Sequence, residues 1–338
     1  MRTASPVTLV APDLWRITTP LPFRPREVHA YLAGVEDGRF LLVDGGANTE
    51  DAWRALDAGV REVTGGWGRV ALHLVTHMHL DHIGLVQKVR EASGASLLIG
   101  AFDAERAAHA EAHPAEEAAY RTALVLLAGA PEELRRAVEE ARKESASLSA
   151  YLAVDRTLTG EGGDLPDAPG WRWIWTPGHT AGHLSLHRPG DGVAIGGDAV
   201  LPRVTPTIGV NRQREDPVAD YLATLERLDA LDLQLLLPGH GEPLRPPRSR
   251  IQELLDATRE ETRTVAGWVR GGATTAWEVA RLRHPWPDYP PAILLHAVRE
   301  TLAHLRHGVR TGTLHEDLSG DGVARFRASN VCSASAEG

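Results

Sequence analysis

The segment Val70-Ala-Leu-His-Leu-Val-Thr-His-Met-His-Leu-Asp-His82 is decisive for the fold, because a strand leads directly into a cluster of histidine and aspartate side chains. Its first half is apolar almost throughout, as expected of a strand that is buried on both faces. In the extended stretch that follows, His77 and His79 point to the same side, so both imidazoles can reach one metal ion. Where the chain turns into a helix, Asp81 and His82 can face a second ion. The spacing therefore predicts a metal centre at the end of this strand.

Three further polar side chains follow apolar strands later in the chain. His179 lies in the segment TPGHT after the strand WRWIW, Asp198 follows the end of VAIGG, and His240 lies in PGHG after LQLLL. The carboxyl ends of neighbouring strands are where loops converge and where sites are usually built. We therefore expect these three side chains to join the cluster at residues 77–82.

The order of elements predicts an α/β protein with an insertion and a C-terminal module. Short strands and an Asp37-Gly38 hairpin signal come first, and strands then alternate with helices. Residues 101–153 are rich in Ala and Glu and form a predicted helical insertion, which caps the site or packs as a solvated helical pair. Helices followed by two strand-like pieces indicate a winged-helix-like module. The predicted domains are 1–244 and 245–329, with a disordered tail at 330–338.

The composition excludes several classes of protein. The 338 residues carry 36 Lys+Arg and 45 Asp+Glu, a net charge of −9, and 43% are hydrophobic, as in a globular protein. The absence of a long apolar run and of a signal-peptide pattern predicts a cytoplasmic protein without membrane contact. Cys332 is the single cysteine, so neither an intrachain disulfide nor a thiolate zinc site can form. Metal ligands must therefore come from carboxylates and from the 16 histidines.

The motifs HMHLDH, PGHT, GGD and PGHG, in this order, resemble those of the metallo-β-lactamase superfamily of αββα hydrolases. The likeness covers about residues 7–245 and implies an αββα sandwich. A lactamase-like domain followed by a winged-helix module is closest in layout to the beta-lactamase-like protein 2 group, which includes an endoribonuclease and many bacterial hydrolases. The insertion at 101–153 departs from the shorter members of that group.

The resemblance also implies roles for individual residues. Asp44 matches the strand-end aspartate that supports the metal-binding loop, while His183 falls where the family tolerates several residues and is expected to be supporting or structural. His29, His73 and His187 have no motif, so core or surface roles are expected for them. The implied ligands are His77, His79 and His179 for the first metal, Asp81, His82 and His240 for the second, and Asp198 as the bridge.

Two divalent ions are the expected cofactors. Zinc is the first expectation, and manganese or iron suits the same all-His/Asp ligand set. A hydroxide held between the two ions would attack the substrate, with Asp81 and Asp198 as the catalytic side chains. Arg203, Thr205 and Tyr221 are predicted substrate-binding residues from their position after Asp198 alone.

Three functions remain open from the sequence. The first is a hydrolase of an ester, thioester or lactone carbonyl in a small molecule, which suits the net negative charge and an insertion that closes a pocket. The second is a phosphodiesterase or endoribonuclease acting on single-stranded nucleic acid, which draws on the mildly basic C-terminal module. The third, and least expected, is a metal-binding scaffold without activity. A homodimer is a further expectation for the partners.

Overall fold

The computed structural model describes residues 5–145, 153–284 and 290–329. The predicted tail at 330–338 and residues 146–152 of the predicted insertion lie outside the described residues.

The first sheet contains the N-terminal strands in chain order. The strands β1 to β4 pair antiparallel, whereas β4 to β7 pair parallel. Asp37 and Gly38, in the turn between β3 and β4, both have left-handed φ angles of 60° and 67°, as the predicted Asp-Gly hairpin requires. The strands are β1 (Val7–Ala11), β2 (Leu14–Pro20), β3 (Glu27–Gly34), β4 (Phe40–Val43), β5 (Val70–Val75), β6 (Ser96–Gly100) and β7 (Arg156–Leu158).

Helices cover the outer face of this sheet. The Thr49 hydroxyl accepts a hydrogen bond from the Ala52 amide at 3.2 Å and so caps α1. Leu56 and Val60 of α1 are fully buried and pack against Ile17 of β2 in one apolar cluster. The helices are α1 (Glu50–Thr64), the single turn α2 (Leu80–Ile83) and α3 (Val86–Ser93).

The second sheet runs in the order β12-β11-β10-β9-β8, with β11 and β12 parallel and the other pairs antiparallel. The two sheets pack face to face around buried residues that include Leu74, Trp173 and Leu186. With helices outside both sheets, the α/β class and the αββα sandwich are confirmed. The elements are β8 (Gly162–Asp164), β9 (Arg172–Trp175), β10 (Leu184–Arg188), β11 (Val193–Gly197), α7 (Pro217–Asp229) and β12 (Leu235–Pro238).

The predicted insertion and the C-terminal module pack against each other. The insertion supplies α4 (Ala101–Ala112), α5 (Pro114–Leu127) and α6 (Glu132–Ser145). Val125 of α5 shares an apolar cluster with Trp277, whose amide also donates to the Ala128 carbonyl at 2.9 Å. The module consists of α8 (Arg248–Arg270), α9 (Ala276–Arg283), α10 (Pro291–Arg310), β13 (Leu314–Leu318) and β14 (Ala324–Ala328).

The C-terminal elements occur in the predicted order of helices and then a hairpin. Thr275 also forms a backbone bridge to Arg325, which ties the start of α9 to β14. The winged-helix identity of this module and the domain boundary at 244/245 stay predictions. Within the described residues, none of the helices combines the length and apolar character that crossing a bilayer requires.

Candidate metal centre

The predicted ligands all lie at one edge of the sandwich, where strands of both sheets end. β5 leads into His77 and His79, β9 into His179, β11 into Asp198 and β12 into His240. Three overlapping triads have ligand atoms within 4.8 Å of one another, and no ligand is shared between the first and the third. The triads are His77–His79–His179, His77–His82–Asp198 and Asp81–His82–His240.

The first triad presents three nitrogen atoms to one point. His79 Nδ1 lies 3.0 Å from His77 Nε2 and 2.9 Å from His179 Nε2. Two nitrogens on one tetrahedral zinc ion lie about 3.3 Å apart, since each Zn–N bond is about 2.0–2.1 Å long. The spacing of these three nitrogens is therefore close to that of ligands on one ion.

Hydrogen bonds fix which nitrogen of each imidazole faces that point. His179 Nδ1 donates to the Thr207 carbonyl at 3.0 Å, so its Nε2 carries the lone pair. The Thr76 hydroxyl donates to the Asp44 carboxylate and accepts from His77 Nδ1 at 3.0 Å, which leaves His77 Nε2 unprotonated. Such partners orient the ligand and raise its basicity.

The second triad is ordered in the same way. His82 Nδ1 donates to Asp44 Oδ2 at 2.8 Å, and His240 Nδ1 donates to the Glu27 carbonyl at 2.8 Å. The opposite nitrogen of each ring then faces Asp81, whose Oδ2 lies 3.9 Å from His82 Nε2 and 3.2 Å from His240 Nε2.

Asp198 lies between the two triads. Its Oδ2 is 3.7 Å from His179 Nε2 and 3.6 Å from His240 Nε2, while its Oδ1 is 3.6 Å from His82 Nε2. The Asp198 amide donates to His183 Nε2 at 3.1 Å, so His183 orients the backbone of Asp198. The lone pair of His183 Nε2 is used in this bond, which makes the role of His183 structural.

Electrostatics keep the first triad neutral. Burial, with help from the neighbouring imidazoles, holds the pKa of His77 and His79 well below the usual value. Burial also lowers the pKa of His179, against the opposing effect of Asp198. Neutral imidazoles are the form that binds a metal ion.

In the second triad, electrostatics favour the charged forms of the side chains. Burial alone would lower the pKa of His82, but the carboxylates of Asp44, Asp198 and Asp81 raise that pKa to about 10. Burial opposes ionisation of Asp81, yet the charges of His82 and His240 hold its pKa below the usual range. Without a metal ion, His82 therefore carries a proton in place of a cation.

Two buried side chains that the sequence patterns missed also hold the metal-binding loops. Asp103 Oδ2 accepts from the Met78 amide at 2.9 Å and the Thr180 hydroxyl at 2.7 Å, and its Oδ1 accepts from the Gly182 amide at 2.7 Å. It thus joins the loop between His77 and His79 to the loop after His179. The available signal was its position shortly after the end of β6, in the first turn of α4.

The second missed side chain is His29 of β3. Its Nε2 donates to the Gly241 carbonyl at 3.0 Å, and its backbone amide donates to the Gly239 carbonyl at 2.8 Å. His29 therefore fixes both sides of His240. His73 donates from Nε2 to the Asp44 carbonyl at 3.1 Å, so it is a core residue with a positioning contact. His187 is a buried strand residue away from the triads.

Tyr221 was predicted to bind substrate, and the structure contradicts this expectation. Its side chain is fully buried in the apolar cluster of α7 and α8, and its hydroxyl donates to the Ala199 carbonyl at 3.1 Å. A side chain without accessible surface cannot contact a substrate. Arg203 and Thr205 are exposed on the loop after β11, and Thr205 lines a pocket of about 240 Å³ beside α8 and α10; their substrate roles stay predictions.

A family model described as Metallo-beta-lactamase superfamily matches residues 23–240, a stretch that contains all seven predicted ligands. The chain belongs to the metallo-beta-lactamase superfamily. The crystal structure of a metallo-beta-lactamase family protein from Thermus thermophilus has a TM-score of 0.79 at 27% identity, covering 95% of this chain and 100% of that one. The likeness therefore includes the C-terminal module.

The curated relatives indicate a metallo-hydrolase. Probable metallo-hydrolase YqjP of Bacillus subtilis (strain 168) is 26% identical over 298 residues, 87% of this chain and 91% of the relative. Hydroxyacylglutathione hydrolase of Fuscovulum blasticum is 26% identical over 253 residues, 70% of this chain and 78% of the relative. Members of the superfamily bind divalent metals, and the His/Asp triads of this chain could hold them.

The closer likeness to the beta-lactamase-like protein 2 group is only weakly supported. The Beta-lactamase-like protein 2 homolog of Drosophila melanogaster is 28% identical over 101 residues, which is 30% of this chain and 30% of the relative.

Proposed function

We propose that the protein hydrolyses an ester, thioester or lactone carbonyl in a small molecule at a centre for two divalent ions. Zinc is the first expectation, and manganese or iron suits the same ligands. The observation that carries the proposal is the set of overlapping triads, in which imidazole nitrogens and carboxylates converge from four strand ends. The proposed ligands are His77, His79 and His179 for one ion, Asp81, His82 and His240 for the other, and Asp198 for both.

The residues fit a metal pair on two further grounds. His82 Nε2 and Asp198 Oδ1 are buried and form no hydrogen bond within the described residues. Buried polar atoms without a partner are uncommon and call for a specific explanation. Gly239 keeps the space between these atoms open, since a Cβ there would lie 2.3 Å from Asp198 Oδ1 and 2.8 Å from His82 Cε1.

When bound, a pair of divalent ions polarises the carbonyl and lowers the pKa of a shared water, which supplies a nucleophile at neutral pH. Asp198 would help to orient such a water, because its carboxylate faces both triads while His183 fixes its backbone. Asp81 is the second carboxylate at the site, and its lowered pKa keeps it ionised as a base or a ligand. Asp81 is thus proposed to work in the ionised state.

Two observations favour a small acyl substrate over a nucleic acid. The relative named Hydroxyacylglutathione hydrolase acts, by its name, on an acylglutathione, which is a thioester. The arginines on the C-terminal hairpin are engaged within the chain: Arg325 pairs with Asp321 at 3.1 Å and Arg327 with Asp317 at 3.2 Å. Internal pairing reduces the positive surface that a nucleic-acid backbone needs.

Cleavage of single-stranded nucleic acid is the alternative function. It rests on the helices followed by a hairpin at the C-terminus, the predicted winged-helix-like module.

A parallel substrate screen tests the proposal. Purified protein is loaded with zinc, its metal content is measured, and a thioester, a lactone and single-stranded RNA are offered under the same conditions. We expect turnover of a carbonyl substrate that His77→Ala abolishes. His315→Ala is the matched control, because His315 is exposed on β13. RNA cleavage that depends on His77, without turnover of any carbonyl substrate, would favour the alternative and refute the proposal.

A further inference from the structure

Four arginines lie near one another, although the chain as a whole is acidic with a net charge of −9. They come from α4, α5, the segment between β11 and α7, and α10. Two of them lie against the ring of Tyr120, with the guanidinium carbon of Arg212 at 4.4 Å and that of Arg106 at 6.0 Å from the ring centre. We call this group the arginine cluster: Arg106, Arg121, Arg212 and Arg299.

Two members of the cluster share a single carboxylate. Glu117 is buried and serves both Arg106, in close contact, and Arg212, whose Nη1 lies 3.4 Å from Glu117 Oε1. One carboxylate cannot neutralise two guanidinium groups. Arg106 and Arg212 together therefore carry one positive charge more than Glu117 neutralises.

Arg299 adds a second uncompensated charge. Its Nε and Nη2 donate to the Val210 carbonyl at 3.3 and 3.1 Å, a neutral acceptor. In the described parts of the chain, no carboxylate oxygen lies within 4.0 Å of the Arg299 guanidinium, because the adjacent Glu300 is paired with Arg283 at 3.3 Å. Burial lowers the pKa of Arg299, and Arg121 and Arg106 act in the same direction, against the opposing effects of Tyr120 and Glu300. A desolvated cation among other cations is unfavourable unless an anion joins it.

The cluster is connected to the first triad through the segment between β11 and α7. Arg299 holds the carbonyl of Val210, three residues after Thr207, whose carbonyl orients His179. The same segment of chain therefore contacts both Arg299 and the first triad.

Solvent reaches two members of the cluster. Arg121 is exposed, and about a third of the Arg212 side chain is accessible, at 32%. The planar guanidinium fork matches the oxygens of a carboxylate or a phosphate and binds them through two parallel hydrogen bonds. The insertion and α10 both contribute to this surface, which gives the insertion a role in substrate recognition.

We propose that the arginine cluster binds a carboxylate or phosphate group of the substrate while the scissile carbonyl lies at the metal centre. This inference rests on the proposed hydrolase function and restricts its substrates to anionic acyl compounds, with the anion in either the acyl or the leaving part. Neutral lactones and simple esters are then poor substrates.

Matched thioesters that differ in one appended group test the proposal: a carboxylate, a phosphate or a neutral amide. The preference is measured as the kcat/KM of an anionic substrate divided by the kcat/KM of the neutral amide. We expect Arg121→Gln and Arg212→Gln each to lower this ratio about tenfold, the effect of losing one charge-assisted hydrogen bond. Arg263→Gln is the matched control, since Arg263 is an exposed residue of α8 with 67% of its side chain accessible. The carboxylate and phosphate arms identify which anion is bound. An unchanged preference in both cluster variants would overturn the proposal.

A binding measurement separates this proposal from the hydrolase function. Binding of inorganic phosphate to the metal-depleted protein is followed by titration calorimetry for the wild type and the same variants. We expect about tenfold weaker binding in Arg212→Gln and no change in Arg263→Gln. If no thioester is turned over but phosphate binding follows this pattern, the hydrolase function fails and the anion site stands. Phosphate binding that is the same in the wild type and in the cluster variants contradicts the anion site. The anion site is also contradicted if the cluster variants weaken the binding of RNA but not the binding of phosphate.

Discussion

Replacing Asp103 by Asn tests the role of a carboxylate that joins two metal-binding loops. In the wild type its oxygens accept hydrogen bonds from Met78, Thr180 and Gly182 at 2.7–2.9 Å. Asn has the same shape but one oxygen, which can serve Met78 and Thr180 while its amino group faces the Gly182 amide. Two buried donors then face each other without an acceptor between them.

The expected magnitude follows from these contacts. A buried donor left without its partner costs about 1–3 kcal/mol. Burial raises the pKa of Asp103 to about 6, so the ionised carboxylate is itself partly unfavourable, and its removal offsets some of that loss. We expect the free energy of unfolding of the metal-depleted protein to fall by about 1–2 kcal/mol. Since the two loops carry His79 and His179, zinc affinity should fall about 10–100-fold, the usual effect of losing a side chain that supports the ligands.

Urea denaturation and zinc competition against a chromophoric chelator measure the two quantities. Asp164→Asn is the matched control, since that carboxylate is 93% accessible on β8 and should change neither. If Asp103→Asn is less stable but binds zinc as tightly as the wild type, the loops keep their positions without Asp103. If its stability is unchanged too, the proposed loss of a buried hydrogen bond is refuted.

Three further changes have defined outcomes. Gly239→Ala should reduce the zinc content measured by mass spectrometry below that of the wild type, because the new methyl group would lie 2.3 Å from Asp198 Oδ1; a full metal content would contradict this. Burial lowers the pKa of His304 to about 3, so the folded state binds fewer protons than the unfolded state and stability falls as pH drops from about 6.5 towards 3. His304→Gln should reduce that loss of stability by roughly 3–5 kcal/mol, as measured by urea titrations at several pH values. If the free energy of unfolding depended on pH equally in the variant and the wild type, the prediction would be contradicted. Tyr221→Phe should leave KM unchanged and lower the stability by about 1 kcal/mol through the lost bond to Ala199, whereas a raised KM would restore its substrate role.

Much of the fold could be predicted because its strands are short, apolar and separated by strong turn signals. The predicted strand VAIGG is β11 of the structure, with the bounds Val193–Gly197. The edge strands β7 and β8 were missed, since Arg156–Leu158 is short and mostly polar, and Gly162–Asp164 is short and rich in Gly. Their strand conformation comes from pairing with β6 and β9 rather than from local preference.

The ligand positions could be predicted because they follow strand ends, but their supporting contacts could not. Asp103 and Thr207 act through loops that only the folded chain brings together, more than 20 residues from the ligands they support. Tyr221 shows the opposite error. Position after Asp198 suggested a role in substrate binding, whereas α7 turns that side chain into the core. Sequence spacing alone does not tell which face of a helix is buried when the neighbouring element is distant in the chain.

The most direct test of the account is a crystal structure of the zinc-loaded protein, with data collected on both sides of the zinc absorption edge. We predict two anomalous peaks per chain, about 3.5–4 Å apart, one bound by His77, His79 and His179, the other by Asp81, His82 and His240, with Asp198 between them. A single peak, or peaks away from these side chains at full zinc loading, would contradict the two-metal centre.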